Sequence, residues 1–418
     1  MNTVTPAGVV DAGTLHAASG LLTLVRNAMD RLADGQVLEV RAADSSVSED
    51  LRAWCRLTGN LLDAELDAGL STRFLLRKAG RASKAQSPDW GMQLPRQAGE
   101  GPSMRDWLTG RAGDVPEDAS TYLGFVPRGS IPEPGMPAYP FTLNKRDEAW
   151  SPSLGQAYEQ ATARQWHAMS DVPWDQLQQL PDDLERAVCQ TMTFLAENEY
   201  SALYIPAKFL PRINAQFAET VLFLATLIND EARHIEAFTK RALANGGGLQ
   251  YSSALTEWSL HGLFVQEDYF RSTFLLHVLG EGTFLDLLAY IGKHAPDPVT
   301  DEIVARARAD EARHVAYGIA HVRDVLEREP ARVDDLVGAA ESRAEALQAT
   351  SGANPAVMEA LAVLAAGGSS PDCMAKGFVA ARELFKTMDE HRVQRMLQLG
   401  LDQSVAQKIS ELHTPNFM

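Results

Sequence analysis

One five-residue string occurs twice in this chain, and nothing else in it constrains the fold as tightly: Asp230-Glu231-Ala232-Arg233-His234 and Asp310-Glu311-Ala312-Arg313-His314. In each copy a Glu and a His stand three residues apart, which puts both on one face of an α-helix. A single pair at that spacing arises readily by accident. Two identical copies, eighty positions apart and both in strongly helical sequence, are much harder to dismiss. They are what a four-helix bundle needs to hold two metal ions, if each of two other helices adds one carboxylate.

The apolar periodicity supplies those helices. Phe217, Val221, Leu224, Ile228, Glu231, Ile235 and Phe238 fall at steps of three and four, so Glu231 and His234 share the core-facing stripe of a helix expected over 213–244. Val304, Ala307, Glu311, His314 and Gly318 repeat the pattern in a helix expected over 299–328. An unpaired charge facing a core is costly. Arg could balance it, but Glu plus His on each of two facing helices suits a metal better. For the remaining acids, Met192, Leu195, Glu199 and Ala202 share a face of a helix expected over 181–205 and ended by Pro206, which favours Glu199 over Glu197. Phe274, His277 and Glu281 share a face within a helix expected over 254–293. Glu199 precedes Glu231 by 32 residues and Glu281 precedes Glu311 by 30, so two halves repeat one plan. The competing reading makes Glu199 and Glu281 solvated or salt-bridged acids.

At 418 residues the chain is long enough for two or three domains. The formal charge of −17 argues against a nucleic-acid or anionic-membrane surface. No run of eighteen apolar residues is present, and no basic cluster precedes an early apolar core, so neither a membrane span nor a secretory signal is expected. Cys55, Cys189 and Cys373 are too scattered for a disulfide framework or a zinc site, and the cytoplasm is the expected setting.

Residues 8–80 read as a small α/β module. Strands are expected from Val9-Val10, over 36–42, 61–66 and 72–77, with helices over 21–32 and 49–57. Residues 81–150 lose periodicity and are rich in Pro and Gly, as in 99–102 and 127–140. Trp90, Trp107, Tyr122, Phe125 and Tyr139 favour an arm that packs over a free linker. From 151 onward the sequence reads helical throughout, with further helices over 153–169, 331–349, 355–365, 371–399 and 404–412. The expected class is therefore mainly α, a four-helix bundle with extra helices, preceded by a small α/β domain.

Two resemblances go with these residues. The region 165–415 resembles the ferritin-like carboxylate-bridged diiron proteins, closest in motif to the oxygenase and ribonucleotide-reductase small-subunit branch, which uses Asp-Glu-x-Arg-His on two helices. The resemblance implies metal ligands Glu199, Glu231, His234, Glu281, Glu311 and His314, a set of oxygen and imidazole donors suited to iron or manganese. It also implies that Asp230 orients His314 and Asp310 orients His234, since a ligating His usually gives its other N–H to a carboxylate. Arg233 and Arg313 would then balance the two Asp charges, or else make simple i,i+3 pairs with them. His277 is expected as an extra ligand, a supporting residue or a hydrogen-bonded core histidine.

The departures narrow this. Phe238 stands where the reductase subunits store a tyrosyl radical. Leu285, with Thr283 nearby, stands where bacterial multicomponent monooxygenases place a Thr. Ala307 stands where arylamine N-oxygenases add a seventh ligand. The N-terminal module resembles the TusA/SirA-like sulfur carriers in Asp11-Ala12, the strand at 35–40 and the helix end from Ala53-Trp54-Cys55 to Thr58-Gly59. That family's Cys-Pro-x-Pro motif falls on Ala17, Ala18, Ser19 and Gly20, so sulfur transfer is lost and a docking, oligomerisation or structural role remains; Cys55 is expected to be a buried helix residue.

These resemblances imply an O2-activating non-haem diiron oxidoreductase acting on a small organic substrate by hydroxylation, N-oxygenation or desaturation. Two iron ions, or a manganese–iron pair, are the expected cofactor. Leu224, Phe238, Phe284 and Ala307 are candidate pocket walls. No GxGxxG follows a strand, so electrons are expected from an external ferredoxin or reductase, and a homodimer is common among such proteins. The alternatives are a ferroxidase or storage protein, against which the extra modules argue, and a non-catalytic ligand-binding scaffold with an inherited metal site.

Overall fold

Strand alternation builds the first of two units. In chain order it contains β1 (Gly8–Gly13), α1 (Leu21–Asp30), β2 (Val37–Ala42), α2 (Val47–Thr58), β3 (Leu61–Asp67) and β4 (Thr72–Arg77). The sheet runs β1-β2-β4-β3; β1 and β2 are parallel and the other pairs antiparallel. Pairing of Leu38 with Leu76 and of Val40 with Phe74 sets the register. One apolar face results, which Leu21, Val25 and Met29 of α1 and Val47, Leu51 and Trp54 of α2 cover. On β2 the buried Glu39 accepts from Arg41 Nε at 2.6 Å and Arg73 Nη2 at 2.5 Å.

The structure is a computed structural model that describes residues 5–79, 115–128, 130, 132–133, 135–348 and 354–413. Trp90, Trp107 and 99–102 of the expected arm lie outside the described residues. Phe125 and Tyr139 pack edge to face at 4.8 Å, while Tyr122 and Phe125 remain exposed, so these two do not behave as buried anchors. The stretch leading into the second unit is tied down by its backbone: Leu143 N–H donates to Arg212 O at 2.9 Å, and Asn214 N–H donates to Leu143 O at 3.1 Å.

The second unit is helical: α3 (Leu154–Ala163), α4 (Asp182–Phe209), α5 (Ala218–Ala244), α6 (Ala254–Phe264), α7 (Tyr269–Lys293), α8 (Pro298–Arg328), α9 (Val333–Gln348), α10 (Pro355–Ala366), α11 (Pro371–Gln398) and α12 (Gln403–His413). Helices α4, α5, α7 and α8 form the central bundle, α4 packing along α5 and α7 along α8, while α10 to α12 add an outer layer. This is the mainly α class, a four-helix bundle with extra helices after a small α/β unit, that the sequence implies. Asp297 caps α8, accepting from Val299 N–H at 3.0 Å and Thr300 N–H at 2.9 Å, with Pro298 as the first helical residue. Gly246, at φ 71°, lets the chain turn away after α5. The length and apolarity of α7 would suit a membrane span, but 83% of that window is buried inside the protein, as in a core helix.

Four helix boundaries differ from expectation. Pro206 does not end α4, which runs to Phe209: Pro206 lies in the last turn, its carbonyl still accepts from Leu210 N–H, and its buried neighbour Phe209 holds the turn against the core. Helix α5 starts at Ala218 rather than 213, because 210–212 form a separate tight turn. Residues 254–293 are two helices. Asp268 caps the second by accepting from Arg271 N–H at 2.8 Å, and Lys208 Nζ takes up Phe264 O at 2.5 Å and Gln266 O at 2.6 Å. The helix expected over 153–169 stops at Ala163, which frees Gln165 and Trp166 to turn toward the bundle.

One stretch of α7 is wound more widely than an α-helix: Phe274–Glu281 is π-helical, and all eight of its residues are buried. Gly318 of α8 faces it. A Cβ there would come within 2.5 Å of His277 Cβ, so only glycine admits the widened segment at this distance.

Candidate metal centre

Helix α5 turns Phe223, Leu224, Leu227, Asp230, Glu231, His234, Ala237 and Phe238 to the interior. Val221, Ile228 and Ile235, read as part of the core stripe, are only half-buried, so the stripe is rotated slightly toward Phe223 and Leu227. Helix α8 buries Val304, Ala307, Glu311, His314 and Gly318. Helix α4 buries Met192, Leu195, Glu199 and Ala202, and α7 buries His277 and Glu281. Glu199 and Glu281 are each 2% exposed, which removes the solvated-acid reading. Glu197 points elsewhere, toward Glu257, and burial raises its carboxyl to about 7.

These side chains converge as two overlapping groups. Glu199, Glu231, His234 and Glu311 bring ligand atoms within 4.8 Å of one another, and so do Glu231, Glu281, Glu311 and His314. Glu231 and Glu311 belong to both groups. His234 Nδ1 lies 3.2 Å from Glu231, 3.5 Å from Glu311 and 3.7 Å from Glu199. His314 Nδ1 lies 3.0 Å from Glu231 and 3.4 Å from Glu311. Glu281 stands on the His314 side and accepts from His277 Nδ1 at 2.6 Å. His277 therefore holds Glu281 in place; burial, with His314 nearby, pulls its pKa down to about 3, so it acts as a neutral donor.

The far nitrogens of the two histidines face acids across the bundle. His234 Nε2 meets Asp310 Oδ2 at 3.1 Å, and His314 Nε2 meets Asp230 Oδ2 at 3.4 Å. Arg233 bonds Asp230 at 2.5 Å and Asp310 at 3.0 Å, while Arg313 bonds Asp310 and, at 3.2 Å, Asp230. The two Arg thus bridge both acids rather than making only i,i+3 pairs. Two residues that the periodicity does not reveal complete the arrangement. Trp166 Nε1 donates to Asp310 Oδ2 at 2.7 Å, and its ring lies 4.9 Å from the Arg233 guanidinium. Gln165 donates to Asp230 at 3.0 Å and accepts from Arg233 at 2.6 Å. Neither belongs to a repeating pattern, so no signal in the sequence could have found them.

The electrostatics fit a cation site. Burial, then Glu231 and Glu311, push the Glu199 carboxyl well above the ordinary carboxylate range, and the same acids with burial do so for Glu281. Burial opposes charge on the histidines too, yet Asp310 with its neighbouring Glu side chains for His234, and Glu231 with Asp230 for His314, raise both well above the usual imidazole value. Glu199 Oε1, Glu231 Oε1, Glu281 Oε1, both Glu311 oxygens and His314 Nδ1 are buried without a hydrogen-bond partner among the described residues. Four acids facing two imidazoles, with the nearest Arg held on the outer Asp pair, are a donor set that one or two cations would complete. Leu224, Phe238, Phe284 and Ala307, the candidate pocket walls, are all buried.

No protein-family profile matches this chain, and neither does any curated protein. Solved structures of R2-like ligand-binding oxidase variants match part of it. One with an aerobically reconstituted Mn/Fe cofactor is 19% identical, covering 61% of this chain and 93% of that one, with a TM-score of 0.41. One with an anaerobically reconstituted Mn/Fe cofactor is 18% identical over 58% and 93%, with a TM-score of 0.44. One with an Fe/Fe cofactor is 18% identical over 61% and 93%, with a TM-score of 0.42.

Proposed function

We propose that this protein is a dimetal oxidoreductase that activates O2 and oxidises a small organic molecule. The observation that carries the reading is the pair of overlapping buried groups, Glu199-Glu231-His234-Glu311 and Glu231-Glu281-Glu311-His314. Glu199, Glu231, His234 and Glu311 would hold one ion and Glu231, Glu281, Glu311 and His314 the other, with Glu231 and Glu311 in both groups. Carboxylate and imidazole donors suit iron or manganese. Bound iron, or a manganese–iron pair, would supply the electrons and the oxidising power for O2 chemistry.

The chain's own contribution is positioning. Asp310 and Asp230 hold the Nε2 protons of His234 and His314, so each Nδ1 faces the acids. Arg233 and Arg313 neutralise those Asp residues, which would otherwise draw the cations outward. Phe238 in the place of a radical-storing Tyr favours an oxidant spent on a substrate over one stored on the protein. Leu224, Phe284 and Ala307 exclude water from the same region. Hydroxylation, N-oxygenation and desaturation all remain within this class, with electrons from an external donor, in a cytoplasmic homodimer.

The N-terminal unit enters as a docking or oligomerisation module. Its strand and helix order supports a likeness to the sulfur carriers, but Ala17 occupies the reactive position, and the Ala17 N–H donates to Asp50 Oδ2 at 3.0 Å. Asp50 thus already takes the negative place at the Ala17 N–H, in the tight turn before α1.

Anaerobic titration with Fe(II) followed by O2 tests the reading. The expected result is two ions per chain, a transient visible absorbance and stoichiometric O2 uptake. Zero or one ion per chain, or two ions that do not react with O2, would reject it; a cage-sized assembly in solution would favour iron storage.

A further inference from the structure

Helix α6 is apolar on both sides. Leu260 and Leu263 are buried toward the bundle, while Trp258, Phe264 and the following Val265 are exposed. A helix that is hydrophobic all round is normally covered all round. The segment runs along α4 in the same direction: Gln190 Nε2 donates to Tyr251 O at 2.8 Å at one end, and Lys208 Nζ donates to Phe264 O at 2.5 Å at the other. From Gln190 to Lys208, at about 1.5 Å per residue, α4 spans roughly 27 Å. Glu197, Tyr200, Tyr204 and Lys208 follow along it at steps of three and four, so they share the border with α6. Tyr200 and Tyr204 are about half exposed, with their rings 6.0 Å apart.

Tyr200, Tyr204, Tyr251, Trp258, Phe264 and Val265 are each between 45% and 76% exposed. At about 150–250 Å2 per aromatic side chain, they present on the order of 600 Å2 of apolar surface. That is the top of what a monomer usually leaves uncovered. A standard interface takes about 800 Å2 from each partner, somewhat over half of it apolar, so this face with its polar rim is large enough for a stable pair. The rim charges sort by position. On the Tyr200 side Glu257 is exposed and stands beside a second acid, Glu197. On the Tyr204 side Lys208 and Arg212 share one acid, Glu267, at 3.7 Å and 2.8 Å. One side is net negative and the other net positive. A two-fold axis between Tyr200 and Tyr204 turns each side onto its opposite, so the face complements itself. A lipid surface has no use for that sorting, and the formal charge of −17 opposes an anionic one.

We propose that the α4–α6 face is where two copies of this chain pair, with Tyr200 and Tyr204 packed about the axis and Glu257 of each copy set against Lys208 and Arg212 of the other. This assigns a surface to the homodimer of the preceding reading and uses none of the metal ligands.

The test is sedimentation velocity of the full-length, chelator-treated protein over a dilution series. The expected species is a dimer of twice the 45.6 kDa chain mass. Tyr204→Glu and Trp258→Glu are each expected to weaken pairing at least tenfold with unchanged helical circular dichroism, and Glu257→Lys to weaken it severalfold. Val379→Glu, at an equally exposed position on α11, is expected to leave it unchanged. Should a variant not fold, Tyr204→Cys decides: mild oxidation is expected to link two copies through it well beyond the wild-type level, and Val379→Cys to add nothing. A monomer at every concentration, a dimer that survives the substitutions on this face, equal linking at positions 204 and 379, or a monomer that binds phosphatidylcholine vesicles instead of pairing would overturn the proposal. Because no metal is present in this experiment, each of these outcomes leaves the dimetal reading untouched.

Discussion

Asn in place of Asp310 should weaken metal binding more than Asn in place of Asp230, although the two acids hold equivalent places in the repeat. Asp310 Oδ2 accepts from Trp166 at 2.7 Å, Arg233 at 3.0 Å and His234 at 3.1 Å, while Oδ1 accepts from Arg313. An amide offers one oxygen to those donors and turns its NH2 on another donor, so at least one charge-assisted bond is lost in either orientation. Asp230 has no Trp partner and meets His314 at the longer distance of 3.4 Å. Losing the acid behind a ligating His typically costs 10–100-fold in metal affinity, about 1.4 to 2.7 kcal/mol. The shorter, triply supported contact puts Asp310→Asn near the upper end and Asp230→Asn near the lower. Anaerobic competition for Mn(II) against a fluorescent chelator measures both, and urea midpoints separate affinity from folding. Unchanged affinity in Asp310→Asn, or a larger loss in Asp230→Asn, would refute the orienting role of the acid.

The remaining predictions concern the fold. Arg241 is fully buried and bonds Glu185 at 2.7 Å and Asp297 at 2.8 Å, so Arg241→Met strands two buried acids and should cost about 3–5 kcal/mol in urea unfolding. A second change, Asp297→Asn, should recover part of that loss; additive losses would speak against the pairing. Gly318→Val should cost about 1–3 kcal/mol by crowding His277, and should lower metal stoichiometry on the His314 half first. In native protein a thiol reagent should label Cys373 well before Cys189 and Cys55, because burial lifts both of their thiols, that of Cys55 to about 11. Glu39 is held below its ordinary pKa, first by its bond to Arg73. Its contribution is therefore full above the usual carboxyl value of 4.5 and is lost as pH falls below it. Glu39→Gln should then destabilise the N-terminal unit more at pH 7 than at pH 3, and an equal effect at both would exclude the charge.

What was legible followed from periodicity and short range. Glu231, His234, Glu311 and His314 could be set facing inward because a helix of either string leaves them no other face. Glu199 could be chosen over Glu197 because Met192, Leu195 and Ala202 fix which side of α4 is apolar. The strands of the N-terminal unit were legible from alternation. The α6–α7 break was not: apolar spacing continues through it, and the stop depends on Lys208, a residue from another helix. Gln165 and Trp166 were invisible because they work outside any repeat. The widened turn of α7 was invisible because Phe274–Glu281 has ordinary helical composition; the room for it comes from Gly318 on the facing helix.

That widened turn makes the fourth acid of the cluster depend on residue count rather than residue type. Restoring ordinary winding without removing a position would swing its side chain by roughly 100° around the α7 axis relative to the turns upstream. Composition, length and hydropathy would barely register the loss, yet the interior would be left one donor short. Relatives should therefore be compared over that segment by the residues it spends per turn before being compared by residue identity.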